Sequence, residues 1–123
     1  MPLDSRSVQS IAICELGDLA DPGSRAFAIG EGDWPLRGFL VRTGNDVFAY
    51  VNHCPHAGHP LNWRPDEFLT PDRSLIMCRS HGAMFEINSG QCVAGPCAGQ
   101  ALRALRARVE NGQVIVAVDA GIV

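Results

Sequence analysis

Thirteen glycines and eight prolines are scattered through 123 residues, and between them no apolar stretch keeps a 3.6-residue period long enough to make an amphipathic helix. What remains are short apolar runs separated by turn residues, the pattern of an all-β fold. Strands are expected near residues 8–14, 24–29, 39–42, 47–52, 75–77, 84–87, 102–109 and 114–118. Turn chemistry falls at 33–38, 43–46, 88–90 and 110–112. The last of these is an Asn111-Gly112 step between two apolar runs, which specifies a hairpin. Residues 101–109 contain the helix formers Ala, Leu and Arg, but Arg103, Arg106 and Arg108 share no helical face, so a strand is the better reading.

The length fits one domain, residues 1–123. At 46% hydrophobic and 19% charged residues the chain can build a core, which argues against disorder. Ten Lys and Arg against thirteen Asp and Glu leave a formal charge of -3 without any basic block, so nucleic acid is not an expected partner. No apolar run reaches bilayer length and the opening residues lack an export-signal pattern, so no membrane association and a cytoplasmic location are expected. Five cysteines are an odd number and too few for a disulfide scaffold, and each needs its own explanation.

Two stretches, about 52–64 and 78–99, differ from their flanks by being rich in Cys, His, Gly and Pro. They read as loop systems on a β scaffold. Between them, residues 62–74 carry Pro65, Pro71, Asp66, Glu67, Asp72 and Arg73 and read as an exposed excursion with room for a short helical turn. Each loop system opens on a mixed pair: Cys54-Pro55-His56 in the first, Cys78-Arg79-Ser80-His81 in the second. Zinc fingers ordinarily pair like with like, two Cys on one segment and two His on another. One Cys and one His per loop lets two thiolates hold one metal while two imidazoles hold its neighbour, although a structural Cys2His2 zinc site uses the same four residues. His53 and His59 stand outside the two pairs and read as structural or surface residues. Cys14, on an apolar run, reads as a core thiol, and Cys92 and Cys97 read first as small buried hydrophobes, with a reactive or bridging role as the alternative.

The pattern Cys-x-His, a spacer, then Cys-x-x-His, followed by Gly82, Ser89-Gly90 and Gly95-Pro96, resembles the Rieske [2Fe–2S] family over most of the chain. The resemblance implies an antiparallel β-sheet sandwich or barrel with cluster-binding loops at one tip and one [2Fe–2S] cluster per chain. Cys54 and Cys78 would hold the inner iron, and His56 and His81 the outer one, with the imidazole edges as the exit for an electron. A third loop, residues 94–99, would cover the cluster. Two neutral imidazoles in place of two thiolates lower the negative charge of the oxidised cluster, which raises its potential.

Departures from the family narrow the reading. Rieske proteins of cytochrome bc complexes join the two cluster loops by a disulfide, at positions matching His59 and Ser80 here, so no such bridge is expected. The Ser and Tyr hydroxyls that those proteins direct at the cluster correspond to Ala83 and Phe85. Both features make the chain more similar to soluble Rieske-type ferredoxins, although its spacer from Ala57 to Met77, twenty-one residues, is longer than theirs. The implied function is one-electron transfer from a flavin- or nicotinamide-dependent reductase to a terminal oxygenase or similar acceptor, without a substrate site of its own. Alternatives are a small electron-transfer subunit of a larger reductase, such as nitrite reductase, and a redox-sensing or interaction module. Pro60, Leu61, Trp63, Gly82, Met84 and Pro96 are the expected docking rim, with Arg64, Arg79, Asp66 and Glu67 as charged neighbours and Trp34 assigned to packing.

Overall fold

The computed structural model describes residues 8–30, 35–55, 60–79, 82–97 and 99–119. Among the described residues nine strands form in chain order: β1 (Val8–Glu15), β2 (Gly23–Ile29), β3 (Leu36–Thr43), β4 (Asp46–Val51), β5 (Ile76–Met77), β6 (Met84–Phe85), β7 (Cys92–Ala94), β8 (Ala104–Glu110) and β9 (Gln113–Asp119). Six of them make a sheet in the order β1-β9-β8-β4-β3-β2, and β5-β6-β7 make a smaller one; every pairing is antiparallel. The all-β expectation holds, and residues 101–109 supply a strand and no helix. A 3-10 turn, Leu16–Asp18, follows β1. The β8–β9 hairpin turns on Asn111 (φ 53°) and Gly112 (φ 78°), two consecutive left-handed residues that match the twist of the flanking strands.

The strand alternation builds two cores. On β3, Phe39 and Val41 enter a core shared with the small sheet, while Leu36 and Leu40 enter a second core with Val114, Val116 and Val118 of β9. A central strand buried on both faces is therefore apolar at nearly every position, and Leu36 to Val41 reads that way. The turn expected over 33–38 is corrected on this account. Residues 33 and 34 lie outside the described ones, but Leu36 and Gly38 are already in β3, opposite Ile29 and Phe27. Gly38 is there because a Cβ would come within 2.6 Å of the Phe27 ring. It is a packing glycine and no turn residue.

The excursion at 62–74 is also corrected. Its first part is exposed, but Phe68, Leu69 and Thr70 are buried, and Phe68 stacks on Phe39 with ring centroids 4.3 Å apart and planes 6° from parallel. Turns and an isolated bridge from Leu69 to Ile76 organise it, with no helical turn among the described residues. It is moored to β2: Asp66 Oδ1 accepts the Ala26 N–H at 2.8 Å, and Ser24 Oγ donates to the Asp66 carbonyl at 2.6 Å. Asp72 accepts from Thr70 Oγ1, Ser74 Oγ and Ser74 N–H, which holds its carboxyl below the usual range. Cys14 packs against the second core as expected, and burial raises its thiol pKa against the opposing pull of Arg25.

Candidate metal centre

The first loop leaves β4 at Asn52, and that residue shapes it. The Asn52 N–H donates to the Arg37 carbonyl at 2.9 Å, which continues the ladder of the large sheet one step past β4. Its side chain reaches across the loop: Oδ1 accepts the Leu61 N–H at 2.8 Å and Nδ2 donates to Asn62 Oδ1 at 3.0 Å. Asn62 Nδ2 in turn donates to the Arg64 carbonyl at 2.9 Å. Cys54 therefore sits in a segment whose two ends are tied to each other by one amide side chain. Nothing in the sequence marks Asn52 and Asn62, since an Asn at each end of a loop is too common a pattern to stand out without the fold.

The second loop runs from β5 to β6. The Cys78 N–H donates to the Ala83 carbonyl at 2.8 Å, and the Gly82 N–H donates to the Cys78 carbonyl at 2.9 Å, so the chain turns back on itself around Cys78. The two loops are joined where the Arg79 N–H donates to the Leu61 carbonyl at 2.9 Å. Arg79 Nη2 donates to the Leu69 carbonyl at 3.0 Å, which gives this arginine a structural task. Asp66 likewise serves the β2 mooring. Glu67 and Arg64 remain exposed.

Cys54 and Cys78 are both fully buried and belong to the same core cluster, with Leu61, Ala83, Phe85 and Cys97. Leu61 is thus a core residue, and its place on the expected docking rim is corrected. Pro60, Trp63 and Pro96 are exposed, Trp63 at 74% of its surface, while Gly82 and Met84 are half-buried. His53 is exposed. His56, His81, His59, Ser80 and Trp34 lie outside the described residues.

A third loop follows β7. At Gly95 (φ 88°) the backbone presses so closely on the second loop that a Cβ would stand 2.8 Å from the Ala83 Cα. Only glycine meets both the conformation and the approach. Cys97 is fully buried and Cys92 half-buried, and the two form a disulfide with Cα atoms 5.8 Å apart. The reading of both as plain thiols is corrected: β7, too short to show in the sequence, brings Cys92 alongside the returning loop, within the span a disulfide needs.

Two buried thiols on cross-tied loops, each thiol two or three residues before a histidine, form a donor set that fits a [2Fe–2S] cluster with mixed ligands. The family model described as Rieske [2Fe-2S] domain matches residues 9–116. Among solved structures the chain is similar to the ferredoxin of carbazole 1,9a-dioxygenase from Nocardioides aromaticivorans IC177, with TM-score 0.69, 24% identity, and 88% of this chain and 96% of that chain covered. It also matches a chain in the complex of reduced oxygenase and oxidised ferredoxin of carbazole 1,9a-dioxygenase, with TM-score 0.68, 21% identity and coverage of 88% and 92%. The terminal oxygenase of carbazole 1,9a-dioxygenase from Novosphingobium sp. KA1 gives TM-score 0.73 and 20% identity, with 90% of this chain but 30% of that chain covered. No curated protein matches the chain.

Proposed function

This chain belongs to the Rieske [2Fe–2S] domain family, and on that premise we propose that it is a ferredoxin-type one-electron carrier, with Cys54 and Cys78 on one iron and His56 and His81 on the other. When bound, the cluster supplies a centre that takes up and releases a single electron. The observation that carries the reading is the burial of both cysteines in one core cluster, on loops fastened to each other through Arg79 and Leu61. A metal held between them would supply binding energy that is also folding energy.

The chain's own residues do three things in this role. Asn52 and the hydrogen bonds that Cys78 makes with Gly82 and Ala83 fix the backbone that carries the two cysteines. Leu61, Phe85 and Ala83 surround them with apolar side chains, which keeps water from the sulfurs. Trp63, Pro60 and Pro96 present exposed apolar and imino-acid surface on the flanking loops, suited to the small and short-lived contacts of electron transfer. The similarity to ferredoxin structures over nearly their whole length supports a carrier without its own substrate chemistry. A terminal oxygenase is the favoured acceptor and a flavin- or nicotinamide-dependent reductase the favoured donor, with a cytoplasmic location.

Anaerobic reductive titration tests this reading. One electron per chain is expected, with a reduced-state electron paramagnetic resonance signal of mixed Cys/His ligation. Stoichiometric zinc with no iron in protein made under iron-sufficient anaerobic conditions would overturn it. Reoxidation by a terminal oxygenase, with product formed, then separates a carrier from a redox sensor.

A further inference from the structure

We propose that the Cys92–Cys97 disulfide is a thiol-exchangeable latch that fastens the third loop over the cluster-binding cysteines; this rests on the assignment of Cys54 and Cys78 as ligands. The loop is closed at its base in three ways. The disulfide joins residues five apart, the Cys92 N–H donates to the Gln100 carbonyl at 3.0 Å, and the Gln100 N–H donates to the Cys97 carbonyl at 2.9 Å. Its tip presses on the second loop at Gly95 and Ala83, and Ala83 itself accepts the Cys78 N–H. Cys97 lies in the same buried cluster as Cys54 and Cys78. The crosslink therefore ends, on one side, among the residues that would face the metal.

The two sulfurs are unlike in access. Cys92 is half-buried and Cys97 fully buried, so an incoming thiolate reaches Cys92 Sγ. With a dithiol as the reductant, its first thiolate attacks Cys92 Sγ, the Cys92–Cys97 bond breaks, and Cys97 leaves as a thiolate. The second reductant thiol attacks the mixed disulfide, its own sulfurs become joined, and Cys92 leaves. In all, two electrons and two protons pass from the dithiol to the protein, which then carries two thiols. Once the bond is broken, nothing covalent ties the end of the loop at Cys97 back to β7, and the loop is free to lift from Ala83. In a compartment buffered by thiols the bond is open to exchange, and the cover over the cluster with it.

The test starts from protein purified anaerobically and quenched in acid with an alkylating agent, in which mass spectrometry should find the Cys92–Cys97 bond. Cluster loss to a ferrous chelator is then followed by visible absorption, before and after dithiothreitol. Reduction should speed the loss several-fold, up to about the thirtyfold that removing a short-loop crosslink allows, and reoxidation should restore the slow rate. The C92S/C97S variant, and Cys92→Ser alone should the double variant fold poorly, should lose the cluster at the fast rate with or without dithiothreitol. Absence of the bond in fresh protein, or a rate unchanged by its reduction, would overturn the latch. Should the protein prove to bind no cluster, the ligand assignment fails separately, and deuterium exchange in the peptide over residues 94–100 still reads the latch: faster exchange on reduction supports it, unchanged exchange overturns it.

Discussion

Asn52 and Asn62 face each other across the first loop, the Nδ2 of one donating to the Oδ1 of the other at 3.0 Å while Asn52 Oδ1 also accepts the Leu61 N–H at 2.8 Å. This pair holds the entry and exit of the segment carrying Cys54 at a fixed separation. Because Leu61 is also the acceptor for the Arg79 N–H, the second loop inherits the same constraint.

Asn52→Ala removes both bonds and leaves the Leu61 N–H without its acceptor. A loss of about 1–3 kcal/mol in folding stability is expected by chemical denaturation. Cluster release should quicken as well. Asn52→Asp keeps the acceptor and should recover part of the loss, which separates the Leu61 bond from the Asn62 bond.

Cys54→Ser and Cys78→Ser should each abolish the visible spectrum and lower the thermal midpoint, since binding energy at a structural metal site is also folding energy. Iron analysis beside calorimetry checks both halves. A fully coloured, undiminished Cys78→Ser protein would contradict the ligand assignment.

Ala83 and Phe85, both fully buried beside the cysteines, offer no hydroxyl. Hydrogen bonds to cluster sulfur favour the more negative reduced state, so their absence sets the potential toward the low end of the Rieske span of about -150 to +300 mV. Ala83→Ser and Phe85→Tyr should each raise it by roughly 40 mV if the new bond is worth about 1 kcal/mol. Voltammetry of the three proteins measures this. Mutants that keep the cluster and do not shift upward would assign the potential to backbone donors and burial instead.

Tyr50 donates to the Ile87 carbonyl at 2.5 Å, and burial pushes its phenol up to about 12. The unfolded phenol ionises near 10, so the folded state is favoured fully below that pH and loses this contribution as pH rises through 10 toward 12. Tyr50→Phe should flatten the alkaline limb of the stability profile. At neutral pH the same variant should be less stable by about 1 kcal/mol, from the lost hydrogen bond.

Phe68→Ala should cost about 3–5 kcal/mol, the scale for emptying a fully buried aromatic site. It removes the stacking partner of Phe39 and the apolar anchor of the long spacer. Urea denaturation checks it, and an effect below about 1 kcal/mol would mean that the spacer is held by its hydrogen bonds, through Asp66, Ser24 and Arg79, rather than by packing.

The sequence by itself determined most of the strands, the Asn111-Gly112 hairpin and the two Cys/His pairs. Each is a local signal: alternation along a few residues, a turn that needs left-handed backbone, ligands spaced two or three apart. The tertiary structure decided what depends on partners far away in the chain. Gly38 carries turn chemistry until Phe27 of the neighbouring strand is placed over it. Phe68 sits among prolines and charges that suggest exposure, yet its burial follows from Phe39, twenty-nine positions earlier. Cys92 and Cys97 are close enough in sequence to pair or not, and only the antiparallel seat of β7 on β6, with the loop folded back to Gln100, brings them within reach. Local chain stiffness and side-chain periodicity act over a handful of residues and can be read in order. Packing against a distant strand depends on the whole sheet having formed.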